Sequence, residues 1–364
     1  MTCTIVVGGQ FGSEGKGKVV ALEAALKMAP WVVRCGGPNS GHTISLGGRE
    51  VVLRQIPAGA GHPNSLLLLS AGCVISEQVF ADEVQLTGIG KDRLIVDPRA
   101  VVLSSDDILS EHNSIDRTIG STASGTGAAL ARRMARDGSV RLAASSQILQ
   151  ELAQVKPVAP LLHDHLNKGG DVIVEGTQGF GLSLLHGSHY PFVTSRDTTA
   201  SGFASEVGLS PRAIGSIIMV IRTYPIRVGG NSGPLPGEVS WDYLAATSGW
   251  HEVVPEYTSV THRLRRVAVF DMVAVQEACA YNCPTSLAVM GLDRLDYRNS
   301  KVTTPTGLTD KARDFVTKLE NVTGIRVKWV GTGFLSSDAL NLFEHSDWEY
   351  LSHAKFSALS LAHS

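Results

Sequence analysis

Short apolar runs alternate along this chain with stretches in which apolar residues recur every three or four positions. The runs at 4–8, 31–35, 51–56, 66–70, 93–96, 171–175, 216–223, 286–290 and 325–330 read as strands. The periodic stretches at 16–28, 76–88, 145–168, 267–280, 309–322 and 347–359 read as helices. The strand candidates are rich in Val, Ile and Leu and do not alternate with polar residues. That pattern belongs to a sheet covered on both faces, hence mainly parallel. The spacing predicts an α/β fold: a large central, mostly parallel sheet flanked by helices, with ligands at the carboxyl ends of its strands. Residues 1–364 are expected to form a single domain. Segments 118–138 and 224–266, rich in Gly, Ser, Thr, Pro and Arg, read as long functional loops within it, against the alternative of flexible surface insertions.

The sharpest local signal follows the first strand candidate: Gly8-Gly9-Gln10-Phe11-Gly12-Ser13-Glu14-Gly15-Lys16-Gly17-Lys18, leading into the helical pattern from Val19. A strand, a glycine-rich turn and a helix start aim backbone amides and a lysine at an anion. The loop is not a Walker A sequence. Five residues separate Gly9 from Gly15, and Gly17 stands where that motif has Ser or Thr. Such a loop alone is weak grounds for phosphate binding, since Gly-rich turns serve many ends.

Charge and composition narrow the picture. Among 364 residues, 32 Lys and Arg face 34 Asp and Glu, a net charge of −2, so no broad basic field invites nucleic acid. No apolar run approaches the roughly 18 residues that span a bilayer. The N-terminus lacks the basic and apolar regions of a signal peptide, so a cytoplasmic protein (host cytoplasm if viral) is expected. The five cysteines are scattered and read as reduced, mostly buried thiols. The twelve histidines do not cluster, and the pairs His163 with His165 and His186 with His189 lack an obvious carboxylate partner at ligand spacing, which argues against a metal–histidine site.

Two further segments give the first loop its meaning. Arg34-Cys35-Gly36-Gly37-Pro38-Asn39-Ser40-Gly41-His42-Thr43 follows the second strand candidate. Val174-Glu175-Gly176-Thr177-Gln178-Gly179 ends the strand at 171–175 and is followed by His189-Tyr190-Pro191-Phe192-Val193-Thr194-Ser195. Together the three resemble the adenylosuccinate synthetases, from residue 3 to about residue 333. Those enzymes join aspartate to C6 of a purine nucleotide using a nucleoside triphosphate. The resemblance implies their P-loop-NTPase-like fold, magnesium as cofactor and a homodimer. It implies nucleoside triphosphate contacts from Gly12, Glu14, Gly15, Lys16, Gly17, Lys18, Gly41, His42 and Thr43, with Asp293, Gly331 and Gly333 at the base. It places magnesium against the Gly41 carbonyl and position 13, and gives His42 the task of stabilising the phosphoryl group in flight, a reaction governed by positioning and electrostatics. The acceptor nucleotide falls to Ser13, Asn39, Thr122, Gln178, Thr194, Arg263 and, across a dimer interface, Arg136. Aspartate falls to Thr261, Arg263 and Arg265, whose alternation along an extended loop can fork two carboxylates. Ser13, Lys16, His42 and Gln178 form the implied catalytic set.

The sequence departs from the family in three respects. Ser13 stands where ordinary members carry an aspartate that binds magnesium and takes the N1 proton of inosine monophosphate; what takes that proton here is left unassigned. This resembles the phage branch, the 2-aminoadenylosuccinate synthetases, in which a smaller residue leaves room for the guanine 2-amino group. Gly291, in Met290-Gly291-Leu292-Asp293, removes the lysine that packs over the donor base, so ATP or dATP replaces GTP as the expected donor. The chain is also shorter than typical cellular members, between 138 and 171 and between 295 and 325, and Ser124 replaces an arginine of the acceptor loop. The reading is a ligase that joins aspartate to dGMP. Its rivals are an ordinary synthetase using IMP and GTP, and an inactive nucleotide-binding regulator.

Overall fold

The computed structural model describes residues 2–114, 119, 122–258, 262–345 and 348. Ten strands form the main sheet. From one edge they run Ala339–Asn341, Val327–Gly331, Ser286–Met290, Ile214–Arg222, β1 (Thr2–Gly8), Asp171–Glu175, β2 (Trp31–Arg34), Leu66–Leu69, Leu94–Val96 and Gln154–Val155. Every neighbouring pair is parallel except the first, where Ala339–Asn341 runs antiparallel to Val327–Gly331. Successive residues of β1 bury into opposite layers. Ile5 and Val7 pack with helices Val158–Asn167, Ala200–Val207, Met272–Asn282 and Asp310–Thr323, while Val6 packs with helices Glu77–Thr87 and α1 (Lys16–Ala25). Burial of both faces is why these strands read as unbroken apolar runs.

The structure corrects several expected elements. The stretch 145–168 is not one helix. It holds helices Gln147–Leu152 and Val158–Asn167, with the edge strand Gln154–Val155 between them. Pro157 explains the break, because it lacks a donor and disfavours helical backbone at Lys156. The stretch 267–280 begins in a strand, Arg266–Ala268, and turns helical at Met272, where the Asp271 side chain accepts from the Ala274 amide at 3.1 Å. The run 51–56 contributes to a hairpin outside the main sheet, β3 (His42–Leu46) with β4 (Arg49–Leu53). Its turn residues Gly47 and Gly48 have φ of 57° and 79°, the left-handed pair that a tight hairpin needs.

The segments expected as loops carry regular structure. Helix Thr126–Ala135 lies within 118–138, and helix Trp241–Ser248 with strands Ile226–Arg227 and Glu238–Val239 within 224–266. Helices Ser105–Ser114 and Ala200–Val207 were not anticipated. The helix expected at 347–359 falls, apart from residue 348, outside the described residues. Among the described residues, no helix is long and apolar enough to cross a membrane.

Candidate active site

The three motif loops leave the carboxyl ends of adjacent central strands: β1, Asp171–Glu175 and β2. In the first, Gly12, Ser13 and Gly15 have φ of 88°, 57° and 102°, so the chain curls tightly before α1 begins at Lys16. The Glu14 carboxylate is buried inside this curl. It accepts from the Gln10 and Gly12 amides at 3.1 and 2.7 Å and pairs with the Lys16 ammonium at 2.6 Å. Gly17 permits close approach of the second loop, since a Cβ there would stand 2.8 Å from the His42 Cβ. Lys18 points elsewhere. Its ammonium donates to the carbonyls of Gly333 and Asp338 at 3.0 and 2.9 Å, tying α1 to the far wall, and burial lowers its pKa to about 8.

His42 opens β3 beside Glu175, with Nδ1 3.1 Å from Oε1 but out of line for a hydrogen bond. Neither ring nitrogen has a hydrogen-bond partner among the described residues. Burial, then the charges of Arg34 and Lys16, holds the imidazole well below its usual range, so it is neutral near pH 7. Glu175 is buried and pushed upward by that burial, against the opposing pull of Arg34. It pairs with the Arg34 guanidinium and accepts from the Ala58 amide at 2.7 Å. Arg34 also donates to the Ser40 carbonyl and Arg54 to the Pro38 carbonyl, each at 2.6 Å, fixing the loop that carries Asn39 and Gly41. Thr43 continues β3, paired with Val52.

Gln178 sits at φ 62°, its Oε1 3.5 Å from where a Gly12 Cβ would lie, so the third loop touches the first. Thr194 is held by its amide on the Leu182 carbonyl at 2.8 Å. Thr122 accepts from the Ser124 hydroxyl at 3.1 Å. Arg136 is exposed at the C-cap of helix Thr126–Ala135. Asp293, expected at the donor base, is buried and its pKa raised by burial. Its carbonyl accepts from the Trp250 indole at 2.7 Å, and the Arg294 Nε stands 3.6 Å from its carboxylate. Gly331 ends strand Val327–Gly331, and Gly333 is the residue whose carbonyl Lys18 holds.

The arginine segment forms a hairpin closed by a Tyr257–Leu264 bridge and by the Arg265 amide on the Glu256 carbonyl at 2.8 Å. Thr261 lies outside the described residues. Arg263 is exposed, whereas Arg265 turns onto the first loop and donates from Nη1 to the Ser13 hydroxyl at 2.7 Å. Arg266 instead binds Glu238 and the Gly233 carbonyl. Sequence reasoning missed Arg222 and Glu256. Arg222 is buried at the end of strand Ile214–Arg222, donates to the Ser13 carbonyl at 3.3 Å and to Glu256 Oε2 at 3.0 Å, and lies over the Tyr224 ring. It also missed a role for Arg34 and Glu175, although charges closing apolar strands foretell a buried pair.

A glycine-rich loop at the central strand, faced by two neighbouring strand-end loops and an arginine hairpin, defines a nucleotide-binding α/β enzyme. The chain belongs to the adenylosuccinate synthetase family. The family model, described as adenylosuccinate synthetase, matches residues 5–154 and 140–304. Adenylosuccinate synthetase of Methanocaldococcus jannaschii is 38% identical over 341 residues, covering 92% of this chain and 94% of the relative. That of Pyrococcus horikoshii is 37% identical over 345 residues, covering 92% and 96%. The short length is therefore shared with archaeal cellular enzymes and does not mark a viral one. Among solved structures, fully ligated adenylosuccinate synthetase from Plasmodium falciparum superposes with a TM-score of 0.82 at 19% identity, covering 93% of this chain and 99% of that one, and speaks to the fold. Cyanophage S-2L succinoaminodeoxyadenylate synthetase, bound to dGMP and to dATP as energy donor, superposes with a TM-score of 0.79 at 26% identity, covering 93% and 95%.

Proposed function

We propose that this ligase joins L-aspartate to C6 of dGMP using ATP or dATP, giving N6-succino-2-amino-dAMP for 2-aminoadenine DNA. The observation that carries the reading is Ser13: a neutral hydroxyl, already accepting from Arg265, where a synthetase acting on inosine monophosphate is expected to have a carboxylate. The smaller side chain leaves volume beside the purine N1 edge for a 2-amino group. The dGMP and dATP of the cyanophage structure support the same substrates here. Gly291 supports an adenine donor: at φ 82°, with its would-be Cβ 3.1 Å from Tyr224 Cε1, it carries no side chain over the base.

The chemistry runs in two steps. The donor γ-phosphoryl group goes to O6 as N1 gives up its proton, releasing ADP or dADP. The aspartate amine then attacks C6, sheds a proton, and phosphate departs with O6. The Lys16 ammonium and the loop amides would hold the donor phosphates once Glu14 yields them, with the buried His42 facing the transferring group. Arg263 and Arg265 would grip the aspartate carboxylates, and Asn39, Thr122, Gln178 and Thr194 the acceptor, with Arg136 of a second copy completing a homodimeric site. Holding three ligands together removes much of the entropic barrier.

Magnesium fits this site as an ion brought largely by the phosphates. No three His, Cys, Asp or Glu residues cluster among the described residues, and the Ser13 hydroxyl faces a guanidinium, so the Gly41 carbonyl is the protein ligand in this reading. When bound, the ion would neutralise charge developing on the phosphates.

The test is a substrate panel: purified protein, magnesium, aspartate and ATP with dGMP, GMP or IMP, products read by mass. A succinyl adduct from dGMP and little from IMP is expected. Product from IMP alone would instead support the ordinary synthetase, the activity named for the archaeal relatives. Ser13→Asp should shift preference toward IMP, and an unchanged dGMP/IMP ratio defeats the volume argument.

A further inference from the structure

Position 13 is held from two sides by arginines, and one residue, Glu256, touches both. Arg222 reaches the Ser13 carbonyl and Arg265 the Ser13 hydroxyl. Glu256 forks the Arg222 guanidinium, accepts from the Tyr224 hydroxyl at 3.2 Å, and takes the Arg265 amide on its backbone carbonyl. Burial alone would raise the Glu256 carboxyl, but the charge and hydrogen bonds of Arg222 outweigh it and bring the pKa down to about 2. Arg222 is itself locked to the first loop. The Gln10 side chain accepts from its amide at 2.9 Å and donates to its carbonyl at 3.1 Å. A continuous path therefore runs from the phosphate loop, through Gln10 and Arg222, to the base of the hairpin that bears Arg263 and Arg265.

We propose that Glu256 and Arg222 are a positioning pair that sets the aspartate-binding hairpin relative to residue 13, so that the amine of aspartate meets the acceptor ring only while this pair is intact. The proposal rests on the reading of Arg263 and Arg265 as the aspartate clamp and gives that clamp its anchor. Neither residue of the pair need touch substrate. A salt bridge that merely held the fold would, when broken, disturb every ligand alike. A pair lodged between the hairpin and position 13 has its effect on the ligand that the hairpin holds.

Glu256→Gln keeps the shape and removes the charge. The expected result is a rise of at least tenfold in KM for aspartate, with KM for ATP and for dGMP within threefold of wild type and the native fold retained by circular dichroism. Glu256→Asp should recover part of the aspartate KM. Arg222→Met combined with Glu256→Gln should cost little more than either alone, as expected of residues acting as a unit. Should Glu256→Gln fail to fold, Tyr224→Phe, which deletes the hydroxyl that donates to Glu256 and accepts from Arg222, should still raise the aspartate KM selectively, by two- to fivefold. Equal rises in all three KM values, or an unchanged aspartate KM, would overturn the proposal. Wild-type protein that forms no succinyl product would instead remove the reading beneath it, so the two failures are distinguishable.

Discussion

Two charged clusters flank the glycine-rich first loop, and they are balanced differently. Around Glu175, one carboxylate meets one arginine and a neutral imidazole, all deeply buried and close to charge balance. Around Ser13, the guanidinium groups of Arg222 and Arg265 converge on a neutral hydroxyl residue, and the Glu256 carboxylate forks that of Arg222, leaving net positive charge. The first cluster is near charge balance without ligand, although both ring nitrogens of His42 lack hydrogen-bond partners among the described residues. The second carries a charge surplus that a dianionic ligand would satisfy. The buried cation, Arg222, keeps Glu256 as its anion, so the surplus rests on Arg265, which turns to the Ser13 hydroxyl.

Arg263→Leu tests the arginine side most severely. Loss of a forked contact to a carboxylate costs about 2–5 kcal/mol, so kcat/KM for aspartate should fall by about 30- to 5000-fold. Nucleotide binding, followed by calorimetry, should remain. Full aspartate-dependent activity in this variant would mean that the hairpin surplus serves something other than aspartate.

The balanced cluster should show the opposite behaviour under the matching substitution. Glu175→Gln strands the buried Arg34 charge, at a cost of about 3–5 kcal/mol, and should lower Tm by roughly 5–10 °C. Glu256 has a side chain 29% exposed, so water can replace part of what it gives Arg222, and Glu256→Gln should lower Tm far less. Equal losses of Tm in the two variants would erase the distinction between a structural and a ligand-facing cluster.

The two clusters also differed in how far the sequence disclosed them. The strands β1, β2 and Asp171–Glu175 were legible because burial on both faces writes an uninterrupted apolar run, and their end loops carry the long motifs. Arg34 and Glu175 stood in those motifs, each closing an apolar strand, which marks a charge in need of a partner without saying which partner. Arg222 and Glu256 lie 34 residues apart and meet through topology: strand Ile214–Arg222 pairs with β1, and the hairpin folds back over it. No local periodicity records such a meeting. The segment 224–266 misled for a related reason, since its Gly and Pro content marks turns and hides the short helix Trp241–Ser248 between them. The break at Pro157, by contrast, was readable in principle and was overridden by apolar periodicity on either side of it.

The smallest expected effect concerns His42, which ties the balanced cluster to pH. Its imidazole titrates well below the 6.5 of an unburied histidine. In the unfolded chain the ring takes up a proton as pH falls through about 6.5, while the folded protein refuses it until pH is lower still. The unfolded state therefore binds more protons across that window, and stability present above pH 6.5 is lost as pH falls below it. One such proton contributes a slope of at most about 1.4 kcal/mol per pH unit. His42→Gln cannot titrate, so its denaturation midpoint should decline less between pH 7 and pH 5 than that of the wild type. A parallel pair of curves would mean that the ring charges readily in the folded protein. The cluster around Glu175 would then gain a second cation, lose its balance, and resemble the arginine side more closely than its geometry implies.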